Sequence, residues 1–164
     1  MSDTAYIGIG SNLEPQKNVR QAMRELRRVG QVIAISTVWM TEPIGRPEQP
    51  AFYNLVAELR TDLPPEELRS ALRQIEDQLG RRRTADRYAA RTIDLDILIY
   101  GDRVVDSDIS ERAFLAMGIW EMDPELRLPG SGQPIADIAG RFREHTMKRL
   151  DDYTQELRAE IQGA

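Results

Sequence analysis

A run of arginines that gives way to a strand bearing two aspartates, between Gly80 and Gly101, constrains this chain more than any other feature. It reads Gly80-Arg81-Arg82-Arg83-Thr84-Ala85-Asp86-Arg87-Tyr88-Ala89-Ala90-Arg91-Thr92-Ile93-Asp94-Leu95-Asp96-Ile97-Leu98-Ile99-Tyr100-Gly101. The first half is basic and loop-like, the second apolar and strand-like. Side chains alternate along a strand, so Asp94 and Asp96 share one face while Ile93, Leu95 and Ile97 take the other. Their Cα atoms would stand about 7 Å apart at the strand rise. Carboxylates are hard oxygen ligands for Mg²⁺, and guanidinium groups are planar, bidentate donors to phosphate. The pattern therefore suits a polyphosphate chelated by Mg²⁺. The alternative is a solvated charged loop. Against it, the arginines stop where paired aspartates begin on an apolar strand. Asp-x-Asp alone is a weak motif; with Arg91 three residues ahead, Arg-Thr-Ile-Asp-Leu-Asp-Ile-Leu is more specific.

That basic cluster is local, because the chain as a whole carries a net charge of −5. An acidic balance argues against a general nucleic-acid binder, which usually has a basic excess. Cysteine is absent and His145 is the single histidine, which excludes a thiolate nucleophile and any zinc site built from several His or Cys ligands. No apolar run approaches the roughly 20 residues of a membrane span, and Met1-Ser2-Asp3-Thr4 lacks the basic and apolar regions of a signal peptide. A cytoplasmic protein with no membrane partner is expected. The 164 residues suit one domain, 1–164, with a real core.

Hydrophobic spacing orders the rest. Thr4 to Ile9 alternates as a first strand, and Gly10-Ser11-Asn12 reads as a turn. Pro15 opens a helix over about 15–29, with Val19, Ala22, Met23 and Leu26 on its buried stripe and Gly30 at its end. Gln31 to Met40 is a second strand, Thr41 to Pro50 a proline-rich loop, and Phe52 to Leu59 a third strand. Pro64-Pro65-Glu66-Glu67 starts a second helix with Leu68, Leu72, Ile75 and Leu79 facing inward and Gly80 beyond its C-terminus. Gly101-Asp102 makes a tight hairpin to a short strand at Arg103–Asp106. Glu111 to Glu121 is helical, Leu126 to Leu128 a short strand, Pro134 to Ala139 a helical turn or two, and Phe142 to Ile161 a long polar helix. The order β-α-β-β-α-β-β followed by helices predicts an α+β ferredoxin-like sandwich, a mainly antiparallel sheet with helices packed on it.

A second candidate site lies at Thr41-Glu42-Pro43-Ile44-Gly45 and Gln49-Pro50-Ala51-Phe52-Tyr53-Asn54. An ordinary proline-rich connection is the plain explanation. The functional one is a slot for a flat heterocycle, with an aromatic face to stack on and an Asn side chain that both donates and accepts. Gly10-Ser11-Asn12 is a weaker candidate for an anion cradle than for a turn. Glu76, on the inner part of the second helix, could meet the site or face solvent. His145 reads as exposed.

At these residues the sequence resembles the 6-hydroxymethyl-7,8-dihydropterin pyrophosphokinase family of folate biosynthesis. The matching stretches are Tyr6-Ile7-Gly8-Ile9-Gly10-Ser11-Asn12-Leu13, Thr41–Gly45, Gln49–Asn54, Ile75-Glu76, Gly80-Arg81, Arg91–Ile97 and Glu111-Arg112-Ala113-Phe114. The resemblance covers about residues 4–130. It implies transfer of the terminal diphosphate of ATP, the co-substrate, to the hydroxymethyl group of a pterin alcohol, with AMP leaving. It implies two Mg²⁺ ions on Asp94 and Asp96, and catalytic roles for these two with Arg81 and Arg91. Nucleotide contacts fall on Glu76, Arg81, Arg83, Arg91 and Arg112. The pterin is expected between Phe52 and Phe114, read by Asn54 and by Thr41, Pro43 and Ile44.

The chain departs from the family pattern in three places. Val104 to Arg112 crosses directly where members usually carry a longer segment with a His-Pro-Arg-like motif that contacts the nucleotide. Tyr88-Ala89-Ala90-Arg91 replaces a frequent Trp-Gly-Pro-Arg, and Gly118-Ile119 stands where Pro-Leu is expected. The alternatives are a diverged relative with another nucleotide or acceptor alcohol, and a non-catalytic protein that binds a polyanion or pterin. Monomer and homodimer both remain open.

Overall fold

The computed structural model describes residues 3–41, 50–80, 92–142 and 147–162. The elements run β1 (Asp3–Ser11), α1 (Pro15–Val29), β2 (Gln31–Ile35), β3 (Trp39–Thr41), β4 (Phe52–Thr61), α2 (Pro65–Gln78), β5 (Asp94–Tyr100), β6 (Arg103–Val104), a 3₁₀ turn (Ser107–Ser110), α3 (Ala113–Met122), α4 (Ile135–Gly140), β7 (Lys148–Arg149) and α5 (Asp151–Gln162). Among the described residues the strands form one sheet in the order β6-β5-β1-β4-β3-β7, with β2 also on β4. Every pairing is antiparallel. The ferredoxin-like sandwich predicted from the element order is the fold observed. No described helix is long and apolar enough to cross a membrane.

β1 is central because both of its faces are apolar or small. Ile7 and Ile9 face a core shared with Leu55, Ala57, Leu59, Leu95 and Ile97, which α1 and α2 close through Leu26, Leu68 and Leu72. Tyr6 faces a second core with Val56, Leu98, Leu115, Ile119, Ile135 and Ile138, closed by α3 and α4. A register shift lets Leu98 and Ile99 both enter this second core. α1 keeps its predicted range. Gly30 closes it for a steric reason, since a Cβ there would stand 2.4 Å from the Arg60 carbonyl oxygen.

Four local expectations are corrected. Gly10-Ser11 is not a turn but the end of β1, because Gly10 pairs with Asn54 on one side and Asp94 on the other, and Ser11 pairs with Tyr53. The strand expected over Gln31–Met40 breaks at Ser36–Val38, where the Ser36 hydroxyl accepts the Val56 N–H at 2.9 Å in place of a regular rung. The expected Leu126–Leu128 strand is a single bridge, Arg127 to Pro134. The helix expected over 142–161 starts only at Asp151. Lys148 and Arg149 instead pair with Met40 and Trp39, and the Leu150 N–H reaches the Val38 carbonyl at 2.9 Å. The open edge of β3 thus outcompetes the local helical spacing. Asp151 and Asp152 then supply negative charge in the first turn of α5. His145 lies outside the described residues.

Behind the C-terminal end of α3, the Tyr6 hydroxyl donates to Asp123, and Glu58 pairs with Tyr6 across β1 and β4. Burial, a hydrogen bond shared with Asp123 and that residue's charge push the Glu58 carboxyl up to about 7, against the opposing pull of Arg60. The folded state then holds a proton that the unfolded chain releases near 4.5, so this group's contribution is greatest below pH 4.5 and is lost as pH rises through about 7. Glu58→Gln should flatten the decline in thermal stability between pH 5 and 8. Solvent screening at this half-buried position limits the gain at pH 8 to on the order of 1 kcal/mol. Melting curves across that range check it; an unchanged slope would remove Glu58 as its source.

Candidate active site

β5 carries its two aspartates as the alternation requires. Ile93, Leu95 and Ile97 are buried in the helix-side core, Asp94 is half-buried and Asp96 exposed. Cross-strand register extends this face. Asp94 lies opposite Gly10, and Gly10 opposite Asn54; Asp96 lies opposite Gly8. The two glycines are close approaches: a Cβ on Gly8 would stand 3.3 Å from the Leu115 and Leu98 side chains. A Cβ on Gly10 would stand 2.7 Å from Asn54 Oδ1 and 3.9 Å from a Phe52 ring carbon.

Asn54 is held rather than free. It is 6% exposed, and its Nδ2 donates to Thr41 Oγ1 at 2.6 Å. Thr41 pairs with Phe52 and Trp39 with Asn54, so the edge of β3 backs this corner. Phe52, two residues before Asn54, shares its face and is half-buried. Further along the same sheet face lies α3, whose Leu115 packs over Gly8 and Leu98. Arg112 is its N-cap residue, and Phe114 packs partly buried against the second core. The Arg112 guanidinium lies 3.5 Å from Asp108, both side chains being exposed. Asp108 belongs to the 3₁₀ turn of the shortened crossing, which Ile109 anchors in the core.

Glu76 does reach β5, but at its backbone. It is 1% exposed, and Oε2 accepts the Leu95 N–H at 2.8 Å. Leu95 lies between the two aspartates, so this buried carboxylate fixes the strand that presents them. A solvent-facing position is excluded. Ser11 and Asn12 brace the same region. The Ser11 hydroxyl donates to the Thr92 carbonyl, with the Leu13 carbonyl also within reach, and Asn12 Nδ2 donates to the Pro50 carbonyl at 3.4 Å. Neither was separable from a turn in the sequence. Thr92 immediately precedes Ile93, which ties β1 to the start of β5.

The structure thus brings together Asp94, Asp96, Asn54, Thr41 and Phe52 on one sheet face, while Arg112 and Phe114 stand at the start of α3. Arg81, Arg83, Arg91, Pro43 and Ile44 lie outside the described residues. Among the described residues no group of three or more His, Asp or Glu side chains is arranged so that it could hold a metal ion. The donors that fit a metal are the two β5 carboxylates, hard oxygen ligands with one of them open to solvent. Nothing in the spacing pointed to Glu121, whose contacts with the β2–β3 break are described below.

A ferredoxin-like sheet with paired carboxylates beside a polar-and-aromatic corner defines the class of protein, and the comparisons narrow it. The likeness to one solved structure, wild-type Plasmodium falciparum HPPK-DHPS, is one of fold: TM-score 0.70 at 12% identity, covering 88% of this chain. The chain spans 45% of that longer protein. Residues 6–124 match the family described as 7,8-dihydro-6-hydroxymethylpterin-pyrophosphokinase. Two curated relatives are named 2-amino-4-hydroxy-6-hydroxymethyldihydropteridine pyrophosphokinase. The Haemophilus influenzae protein is 33% identical, over 90% of this chain and 98% of its own length. The Pseudomonas aeruginosa protein is 36% identical, over 92% of this chain and 98% of its own. This chain belongs to the 6-hydroxymethyl-7,8-dihydropterin pyrophosphokinase family.

Proposed function

We propose that this chain transfers diphosphate from ATP to the hydroxymethyl group of 6-hydroxymethyl-7,8-dihydropterin and releases AMP. The observation that carries the proposal is the shared face of Asp94, Asp96, Asn54 and Phe52, with Phe114 read as the second aromatic face. It offers carboxylates for a metal-bound polyphosphate and, beside them, an amide and aromatic faces for a flat heterocycle. In the reaction the alcohol oxygen bonds to the β-phosphorus, the bond from that phosphorus to the α–β bridging oxygen breaks, and AMP leaves with the bridging oxygen. The alcohol proton passes to solvent. Such chemistry rests on positioning and charge neutralisation more than on a covalent nucleophile.

Asp94 and Asp96 would hold Mg²⁺, which supplies charge neutralisation to the phosphate oxygens when bound. Glu76 keeps their strand in place through the Leu95 N–H, and the ATP contact expected of it would add to that role. Arg112 would contact phosphate, as would Arg81, Arg83 and Arg91. Asn54 and Thr41 would read the edge of the pterin, with Phe52 and Phe114 against its faces.

Incubation with Mg²⁺, ATP and the pterin alcohol should give AMP and pterin diphosphate in equal amounts. No AMP at high concentrations of folded protein would overturn the proposal. The short crossing from Val104 to Arg112 favours one further comparison, GTP against ATP, because the resemblance puts a longer, nucleotide-contacting segment there. ATP should remain the better donor.

Gly10→Ala tests the floor of the slot. A methyl group 2.7 Å from Asn54 Oδ1 must displace that amide. Pterin affinity, followed by ligand fluorescence, should fall roughly tenfold, equivalent to about 1.4 kcal/mol. Unchanged affinity would mean that Asn54 does not read the ligand.

A further inference from the structure

We propose that Glu121 is a positioning residue that sets the separation between the two walls of the pterin slot. The inference rests on the reading of Phe52, Asn54 and Phe114 as that slot.

Thr37 lies in the break between β2 and β3 and is 2% exposed. Its N–H donates to Glu121 Oε1 at 2.8 Å, and its hydroxyl donates to Oε2, also at 2.8 Å. Arg149 of β7 completes the cluster, with Nη2 on the Thr37 hydroxyl oxygen at 3.1 Å and Nη1 on Glu121 Oε2 at 3.4 Å. The next rung is held as firmly, since the Val38 N–H donates to Thr154 Oγ1 at 2.9 Å. A strand break would leave buried backbone donors without partners; here side chains from α3 and α5 supply the acceptors.

The consequence reaches the site along two short paths. Glu121 stands two helical turns beyond Phe114 on α3, so it fixes the helix that carries one wall. Thr37 leads within four residues to Thr41, which accepts the Asn54 amide and so belongs to the other wall. The helix also lies close at this point, because a Cβ on Gly118 would stand 2.8 Å from Val56 Cγ2 and 3.2 Å from the Ser36 side chain. Glu121 is therefore the polar bond across a tight contact between α3 and the strand break. A carboxylate with both oxygens engaged by one residue fixes orientation as well as distance.

The test compares Glu121→Ala with Glu121→Gln. The glutamine retains an oxygen for the Thr37 N–H and an amide that can donate to the hydroxyl oxygen. Glu121→Ala should weaken pterin binding roughly tenfold, about 1.4 kcal/mol. ATP affinity and kcat at saturating pterin should change less than about twofold, and Glu121→Gln should recover most of the loss. The side-chain amide resonance of Asn54, observed without ligand, should shift in the alanine variant and return in the glutamine variant. Equal weakening of ATP and pterin binding, or an unmoved Asn54 resonance, would overturn the proposal. If Glu121→Ala fails to fold, Thr37→Val, which removes only the hydroxyl, takes its place with the same criteria at a smaller shift. A wild-type protein that binds no pterin would defeat the functional reading, while the Asn54 resonance would still decide the role of Glu121.

Discussion

Asp96→Ala is expected to abolish AMP formation, by a factor of roughly a thousand or more, with the fold retained. The size follows from what one carboxylate would do as a metal ligand in phosphoryl transfer, where electrostatic stabilisation of the transferring group is the main catalytic resource. The mildness of the structural effect follows from exposure. Asp96 is the open member of the pair, opposite Gly8, and its loss uncovers no core. Two assays separate the outcomes: AMP release at saturating ATP and pterin, and thermal melting of the same preparation. Binding of Mg²⁺–ATP should weaken while pterin binding alone persists. Retained turnover would remove the metal role from this strand.

The second large effect falls on a residue that need not touch the substrates. Glu76→Ala leaves the Leu95 N–H without its carboxylate acceptor in a buried setting, at a cost of about 1–3 kcal/mol. Turnover should fall roughly a hundredfold, because β5 can then shift the aspartates away from productive geometry. Glu76→Gln keeps an acceptor oxygen and should restore stability and much of the activity. The discriminating measurement is hydrogen exchange at the Leu95 amide, which should accelerate in the alanine variant and remain slow in the glutamine variant. If Glu76→Gln is as inactive as Glu76→Ala while Leu95 stays protected, the carboxylate acts on the ligand and not on the strand.

These two residues also show what the sequence could and could not disclose. Asp94 and Asp96 were legible because strand periodicity is local; Ile93, Leu95 and Ile97 declared the buried face, leaving the aspartates on the other. The βαββαβ order was legible for the same reason. Glu76 was ambiguous because a glutamate among Arg73, Gln74 and Asp77 has the pattern of a solvated helix surface, and its partner is a backbone amide about twenty residues away. Gly10-Ser11-Asn12 has turn composition, yet cross-strand pairing on both sides prolongs β1 through it. Residues 148 and 149 fit a helical repeat, yet they pair with β3, whose need for a partner no local pattern announces. Glu121 belongs to the same kind. Its importance arises from a strand break more than eighty residues earlier, and only the tertiary arrangement joins them.

The hold of Glu76 on Leu95 has a further consequence, for solubility. A strand that presents metal ligands to substrate has to lie where ligands can reach it, and strands near a sheet margin offer backbone donors to foreign chains. Among the described residues β6 pairs only with Ile99 and Tyr100, at the far end of β5 from the aspartates. At the aspartate end, a side chain from α2 occupies the Leu95 donor that an intruding strand would otherwise use. The same carboxylate that steadies the site thereby denies one rung of a template for edge-to-edge association.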